Sequence, residues 1–91
     1  MEFRQLKYFL AVADEGHITK AAERMNITQA PLSQQIILLE NELGVQLFQR
    51  SKKQVVLTEA GRALQNRAEQ IMSLMKTAVD EVQEAADGLR G

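Results

Sequence analysis

The chain has 91 residues, enough for one small domain that buries a modest share of its surface, so a partner chain would be a natural supplement to its stability. It has no cysteine, which excludes disulfides and thiolate metal sites and fits a reducing cytosol. No apolar run approaches the ~18 residues of a membrane span, and the start, MEFRQLKYFL, lacks the layout of a signal peptide. The formal net charge of −1 conceals an asymmetry, +1 over residues 1–62 and −2 over residues 63–91. Bulk charge therefore points to no partner, and any argument for one rests on where the charges sit.

The pattern predicts four helices and one hairpin. Phe3, Leu6, Phe9, Leu10 and Ala13 follow the helical period and predict a first helix over Glu2 to Glu15, with Gly16 as a left-handed C-terminal cap. Thr19 is expected to cap a short second helix, Lys20 to Met25, in which Ala21 and Ala22 allow close helix approach. Thr28 is expected to cap a third. Ile27 before it and Leu32 four residues after it form a hydrophobic-staple pattern, and Pro31 falls in the first turn, where its missing N–H loses no intrahelical partner. Leu32, Ile36, Leu39 and Leu43 share the inner face, and Gly44 ends the helix.

LFQR and VVL are short β-leaning runs around Ser-Lys-Lys-Gln, and predict a hairpin with strands near Leu47–Arg50 and Val55–Leu57. An isolated hairpin is marginal in water, so this one should lean on the helices through Phe48 and Val56. Thr58 caps a last helix from Glu59 to about Asp87. Along it Leu64, Ala68, Ile71, Met75, Ala78, Val82, Ala85 and Leu89 form a heptad seam. At ~1.5 Å per residue it is roughly 43 Å long and must project beyond the domain. Beyond the first two turns the domain is too small to cover that stripe, which then marks an interface between two copies.

With the inner face of the third helix fixed, ~100° per residue turns Ala30, Ser33, Gln34 and Ile37 outward, with Gln29 on the exposed first turn. Two helices joined by a tight turn, the second polar and outward, make a helix-turn-helix. In that arrangement the N-terminal residues of the second helix reach base edges in the major groove. The glutamine amide can bridge adenine N6 and N7, and serine can pair with several edges. A polar outer face also fits an ordinary solvated surface. The hairpin tilts the balance toward the first reading: Arg50, Lys52 and Lys53 gather at its tip, where three loop bases are commonly just solvated, but beside a helix-turn-helix they form a wing that can straddle phosphates.

The stretch LKYFLAVADEGHITKAAERMNITQAPLSQQIILLENELGVQLFQRSKKQVVLTEAG resembles the N-terminal winged helix-turn-helix of LysR-type transcriptional regulators. The matching motifs are Ala21-Ala22, Thr28-Gln29-Ala30-Pro31-Leu32-Ser33, Leu39-Glu40 with Glu42-Leu43-Gly44, Leu47-Phe48 with Arg50, and Leu57-Thr58 with Ala60-Gly61. Their order and spacing hold without a gap over residues 3–62, and the long helix that follows is similar to the family's linker helix. The resemblance implies a mainly α fold, residues 1–58 being the winged domain and 59–91 a dimerisation helix. It implies that Gln29, Ala30, Pro31 and Ser33 lie against the major groove, with Arg50 on the backbone.

It also implies antiparallel pairing of two linker helices and an inverted-repeat operator. The expected partners are double-stranded DNA and a second copy, with a tetramer open to a full-length protein. The expected location is the bacterial cytoplasm, at the nucleoid, without membrane contact. The family's effector-binding domain is absent from this sequence, and the ending GLRG soon after the helix reads as a fragment. Two positions depart from the family: arginine is frequent where this chain has Gln34, and a polar or basic residue where it has Ile37. Ile37 either touches a thymine methyl or packs locally, the second being preferred.

The expected DNA-contacting set is thus Thr28, Gln29, Ala30, Pro31, Ser33, Gln34, Arg50, Lys52 and Lys53. The expected dimer seam is Leu64, Ala68, Ile71, Met75, Ala78, Val82 and Ala85. Enzyme motifs are missing: the single histidine, His17, cannot alone make a metal site or a triad, and Glu40 and Glu42 point in different directions. Glu40 is expected in a salt bridge or cap contact. No cofactor is expected. The alternative from another class is a protein-interaction module whose working part is the heptad helix.

Overall fold

The computed structural model describes residues 1–51 and 54–90, and the side chains of all of these except Leu89 and Arg90. Helix α1 spans Phe3–Glu15, α2 Ile18–Arg24 and α3 Gln29–Leu43; strands β1 (Phe48–Arg50) and β2 (Val55–Leu57) follow, and α4 runs Glu59–Arg90. The strands pair antiparallel, with Phe48 opposite Leu57 and Arg50 opposite Val55.

The first three helices close around one core. Phe9, Val12, Ala21, Leu32, Ile36 and Leu39 are fully buried, and Phe48 joins them from the hairpin. The Phe9 and Phe48 rings lie 5.2 Å apart at a tilt of 41°, a spacing at which aromatic pairs attract beyond their buried area. Gln5 is the buried polar member, and its Nε2 donates to Gln35 Oε1 at 3.2 Å, tying α1 to α3. Leu43 does not follow Leu39 inward; it is 40% exposed, because the last turn of α3 overhangs the core.

Helix α2 begins one residue after His17, not after Thr19. Gly16 takes a left-handed φ of 69° and stops α1, and the Ala21 N–H already donates to the His17 carbonyl. Thr19 is therefore inside the first turn of α2. Between α2 and α3 the chain makes a two-bond C-terminal cap: Asn26 N–H donates to Glu23 O and Ile27 N–H to Ala22 O, with Asn26 at φ 58°. Asparagine tolerates that left-handed conformation better than most side chains. This turn sets the angle at which α3 leaves α2.

The hairpin is held at both ends. The Glu40 carboxylate accepts the N–H groups of Leu47 (2.7 Å) and Phe48 (3.3 Å), fixing β1 to α3. Val55 N–H donates to Gly16 O at 3.0 Å, fixing β2 to the end of α1. Val55 and Leu57 face the core, while Val56, expected to do so, is 54% exposed. Strand alternation explains this: pairing Phe48 with Leu57 places Gln49 and Val56 on the outer face.

Thr58 caps α4 as expected, its Oγ accepting Gly61 N–H at 3.0 Å. Gly61 lies so close to the Leu47 carbonyl that a Cβ there would sit 2.1 Å from its oxygen. Helix α4 has 32 residues, about 48 Å at 1.5 Å per residue, and accounts for the 57 Å long axis of the molecule. Ala68 is fully buried within the chain, and Leu64 packs on the core.

Candidate nucleic-acid interface

The outward face of the helix-turn-helix presents small and amide-bearing side chains. Thr28, Gln29, Ala30, Pro31 and Gln34 are exposed, and Ser33 is half-buried. Behind them, Leu32 and Ile36 are fully buried, and Ile27 packs on the same cluster, so this outward face rests on a close-packed base. Thr28 has the extended backbone of an N-cap residue, but its hydroxyl makes no capping bond, contrary to expectation. The N–H groups at the start of α3 thus gain nothing from it, and helix starts carry positive partial charge.

Arg50 is exposed at the end of β1. It shares a groove with His17, Ile18, Thr19, Ser51, Gln54 and Val55, so the wing and the start of α2 form opposite walls of one cleft. Ser51 and Gln54 exchange backbone hydrogen bonds at 3.0 and 3.3 Å, closing the hairpin. Lys52 and Lys53, expected at its tip, lie outside the described residues. Ile37 is 45% exposed and lines a second groove with Glu40, Gln46, Phe48, Gln49 and Arg50, so it is not enclosed by its own chain.

One contact in this region was not anticipated. Gln29 Nε2 donates to Thr19 Oγ1 at 2.9 Å, across the turn between α2 and α3. The sequence pattern marked Thr19 only as a helix cap, and no local signal connects residues on two different helices.

On α4 the exposed apolar stripe starts after the first three turns. Ile71, Leu74, Met75, Val79 and Val82 are exposed, Leu74 and Val82 each at 69%. Met75, Ala78, Val79 and Val82 line a shallow trough with Gln83. Leu74 and Val79 lie beside the expected seam and widen it. Among the described residues, no group of His, Cys, Asp and Glu could hold a metal ion, and no helix is long and apolar enough to cross a membrane.

This arrangement defines a winged helix-turn-helix, and comparison with known proteins gives its family. The profile of bacterial regulatory helix-turn-helix proteins of the lysR family matches residues 3–62, and the chain belongs to this family as its DNA-binding domain. It is 48% identical over 88 residues to the HTH-type transcriptional regulator TfdS of Cupriavidus pinatubonensis, covering 97% of this chain and 30% of that protein. It is 48% identical to BudR of Klebsiella aerogenes over 91 residues, which is 100% of this chain and 64% of that one. The chain thus spans about a third to two thirds of the length of these relatives.

Among solved structures, the CbnR DNA-binding domain in complex with DNA superposes with a TM-score of 0.90 at 44% identity, covering 94% of this chain and 99% of that one. The BenM DNA-binding domain bound to catB site 1 DNA gives 0.91 at 41% identity, covering 94% and 96%.

Proposed function

We propose that this chain binds DNA sequence-specifically as a dimer, reading one half of an inverted-repeat operator with the first turns of α3. The observation that carries the reading is the exposed face of Gln29, Ala30, Pro31, Ser33 and Gln34 over a fully buried Leu32–Ile36 base. Small Ala30 and Pro31 permit close approach, while Gln29 and Ser33 supply donors and acceptors for base edges. Gln34 in place of arginine gives up a bidentate guanine or phosphate contact, so base preference there differs from that of arginine-bearing members. Arg50, Lys52 and Lys53 contact phosphates and contribute affinity without sequence information. The solved complexes of CbnR and BenM domains with DNA support this reading by similarity.

The exposed stripe Ile71, Met75, Ala78, Val82 and Ala85 pairs with its copy on a second chain, which presents two reading helices on one side. Two-fold symmetry of the protein then requires two-fold symmetry of the site. The domain performs no chemical step and acts at the nucleoid in the bacterial cytoplasm. In a full-length protein, response to a small-molecule effector resides in the part of the relatives that this chain does not span.

The test is fluorescence anisotropy on a selected duplex and a scrambled one over a range of salt. Arg50→Ala should weaken both alike and lower the log–log salt slope by about one. Gln29→Ala should cost roughly 1–3 kcal/mol on the selected duplex and little on the scrambled one. Wild-type binding by both variants on both duplexes would refute the assignment.

A further inference from the structure

We propose that Thr19, on the helix before the reading helix, is a positioning residue that sets the orientation of the Gln29 amide for base recognition. The inference rests on the reading of Gln29 as a base-contacting residue.

A glutamine amide that bridges an adenine uses its Oε1 and the Nε2 hydrogen on the same side as that oxygen. The second Nε2 hydrogen points away from the bridged edge and has no partner on the base. In this structure Nε2 donates to Thr19 Oγ1 at 2.9 Å. If the remote hydrogen serves that bond, Oε1 and the near hydrogen remain together for the base, and the threonine contact complements the adenine contact without competing with it.

The geometry behind this contact is stiff at both ends. Thr19 is within the first turn of α2, and as a β-branched residue it has few χ1 choices. Gln29 is the first residue of α3, and the turn between the two helices is fixed by the paired bonds of Asn26 and Ile27. Both side chains are exposed. Without a partner, an exposed glutamine samples many rotamers and loses that freedom on binding. The Thr19 hydroxyl removes part of that loss in advance, the general route by which preorganisation raises affinity. Thr19 also lines the cleft shared with Arg50, so it is placed between the base-reading residue and the wing.

The experiment is a double-mutant cycle on this chain, with Thr19→Val, Thr19→Ser and Gln29→Ala. The probes are the duplex recovered by in vitro selection with the wild-type chain and a scrambled duplex of the same composition. Thr19→Val keeps the shape and removes the hydroxyl. It should reduce affinity for the selected duplex by about two- to tenfold, the range a neutral hydrogen bond supports, and leave the scrambled duplex unchanged. Thr19→Ser should restore selectivity. In the Gln29→Ala background Thr19→Val should have no further effect. In the free protein, the Gln29 side-chain amide should show greater fast mobility by 15N relaxation in Thr19→Val than in wild type.

Equal weakening of both duplexes, no weakening of either, or an undiminished effect in the Gln29→Ala background would overturn the inference. Loss of selectivity in Gln29→Ala with none in Thr19→Val would overturn the role of Thr19 alone. Unchanged selectivity in Gln29→Ala would overturn the base-reading role of Gln29, and the positioning role with it.

Discussion

Gly61→Ala puts a methyl group where α4 meets the hairpin. The new Cβ would stand 2.1 Å from the Leu47 carbonyl oxygen and 2.8 Å from Leu57 Cδ2. The first contact is roughly 1 Å short of the closest approach that such atoms tolerate. Its partner is backbone, and that oxygen already accepts the Thr58 N–H at 3.0 Å, so it cannot move without loosening the cap of α4. Helix propensity alone would favour alanine by about 1 kcal/mol. Overpacking against a fixed backbone costs about 3 kcal/mol or more, leaving a net loss of about 2 kcal/mol or more.

Urea unfolding followed by far-UV circular dichroism, at matched protein concentration because the chain is proposed to associate, should show a lower midpoint with an unchanged slope. Gly88→Ala serves as the control, since a Cβ at Gly88 meets nothing within 4 Å. It should leave stability unchanged or raise it slightly. A Gly61→Ala midpoint equal to or above wild type would refute the close-approach argument.

Three further outcomes follow from named contacts. Asn26→Gly should be neutral or stabilising, and Asn26→Val destabilising by about 1–2 kcal/mol in the same urea assay, because a β-branched side chain resists the left-handed turn that Asn26 occupies at φ 58°. Glu40→Gln should lower stability by about 1–2 kcal/mol, since a neutral amide oxygen accepts the Leu47 and Phe48 N–H groups less strongly than a carboxylate. Ile71→Asp should convert the proposed dimer to monomer in sedimentation velocity while retaining the helical spectrum; a dimer of wild-type strength would remove the stripe on α4 from the interface.

Much of the fold is legible because its signals are local and periodic. The buried series Phe9, Leu32, Ile36 and Leu39 follows directly from helical spacing, and Gly16 and Gly44 mark the helix ends with positive φ. Errors fall where a choice depended on tertiary geometry. Three apolar residues in a row, Val55, Val56 and Leu57, do not say which parity faces inward; the pairing of Phe48 with Leu57 does. Leu43 has the spacing of a core residue but lies beyond the end of the core. Thr19 has the chemistry of a cap, yet the left-handed Gly16 lets α2 begin earlier. Glu40 read as a salt bridge or cap contact, and its actual partners are the amides of Leu47, just before β1, and of Phe48, the first residue of β1, seven and eight residues on.

The candidate site divides the same way. That Gln29, Ala30 and Gln34 face outward needed only the helical period once the inner face was fixed, whereas Ser33, turned outward by the same reasoning, is half-buried. That Gln29 meets Thr19 needed the angle between α2 and α3, which no single helix encodes. Gly61 was recognisable as part of a motif, but its physical reason, the Leu47 carbonyl against α4, exists only in the folded chain.

The proposal on which the others depend is base sensing by the start of α3. In vitro selection of duplexes from a random pool by this chain, followed by sequencing, tests it most directly. Enrichment of one family of sites with two-fold symmetry is expected, with loss of preference at a defined base pair when the selection is repeated with Gln29→Ala. A pool that stays random after successive rounds, or an enriched site identical for wild type and Gln29→Ala, would contradict it.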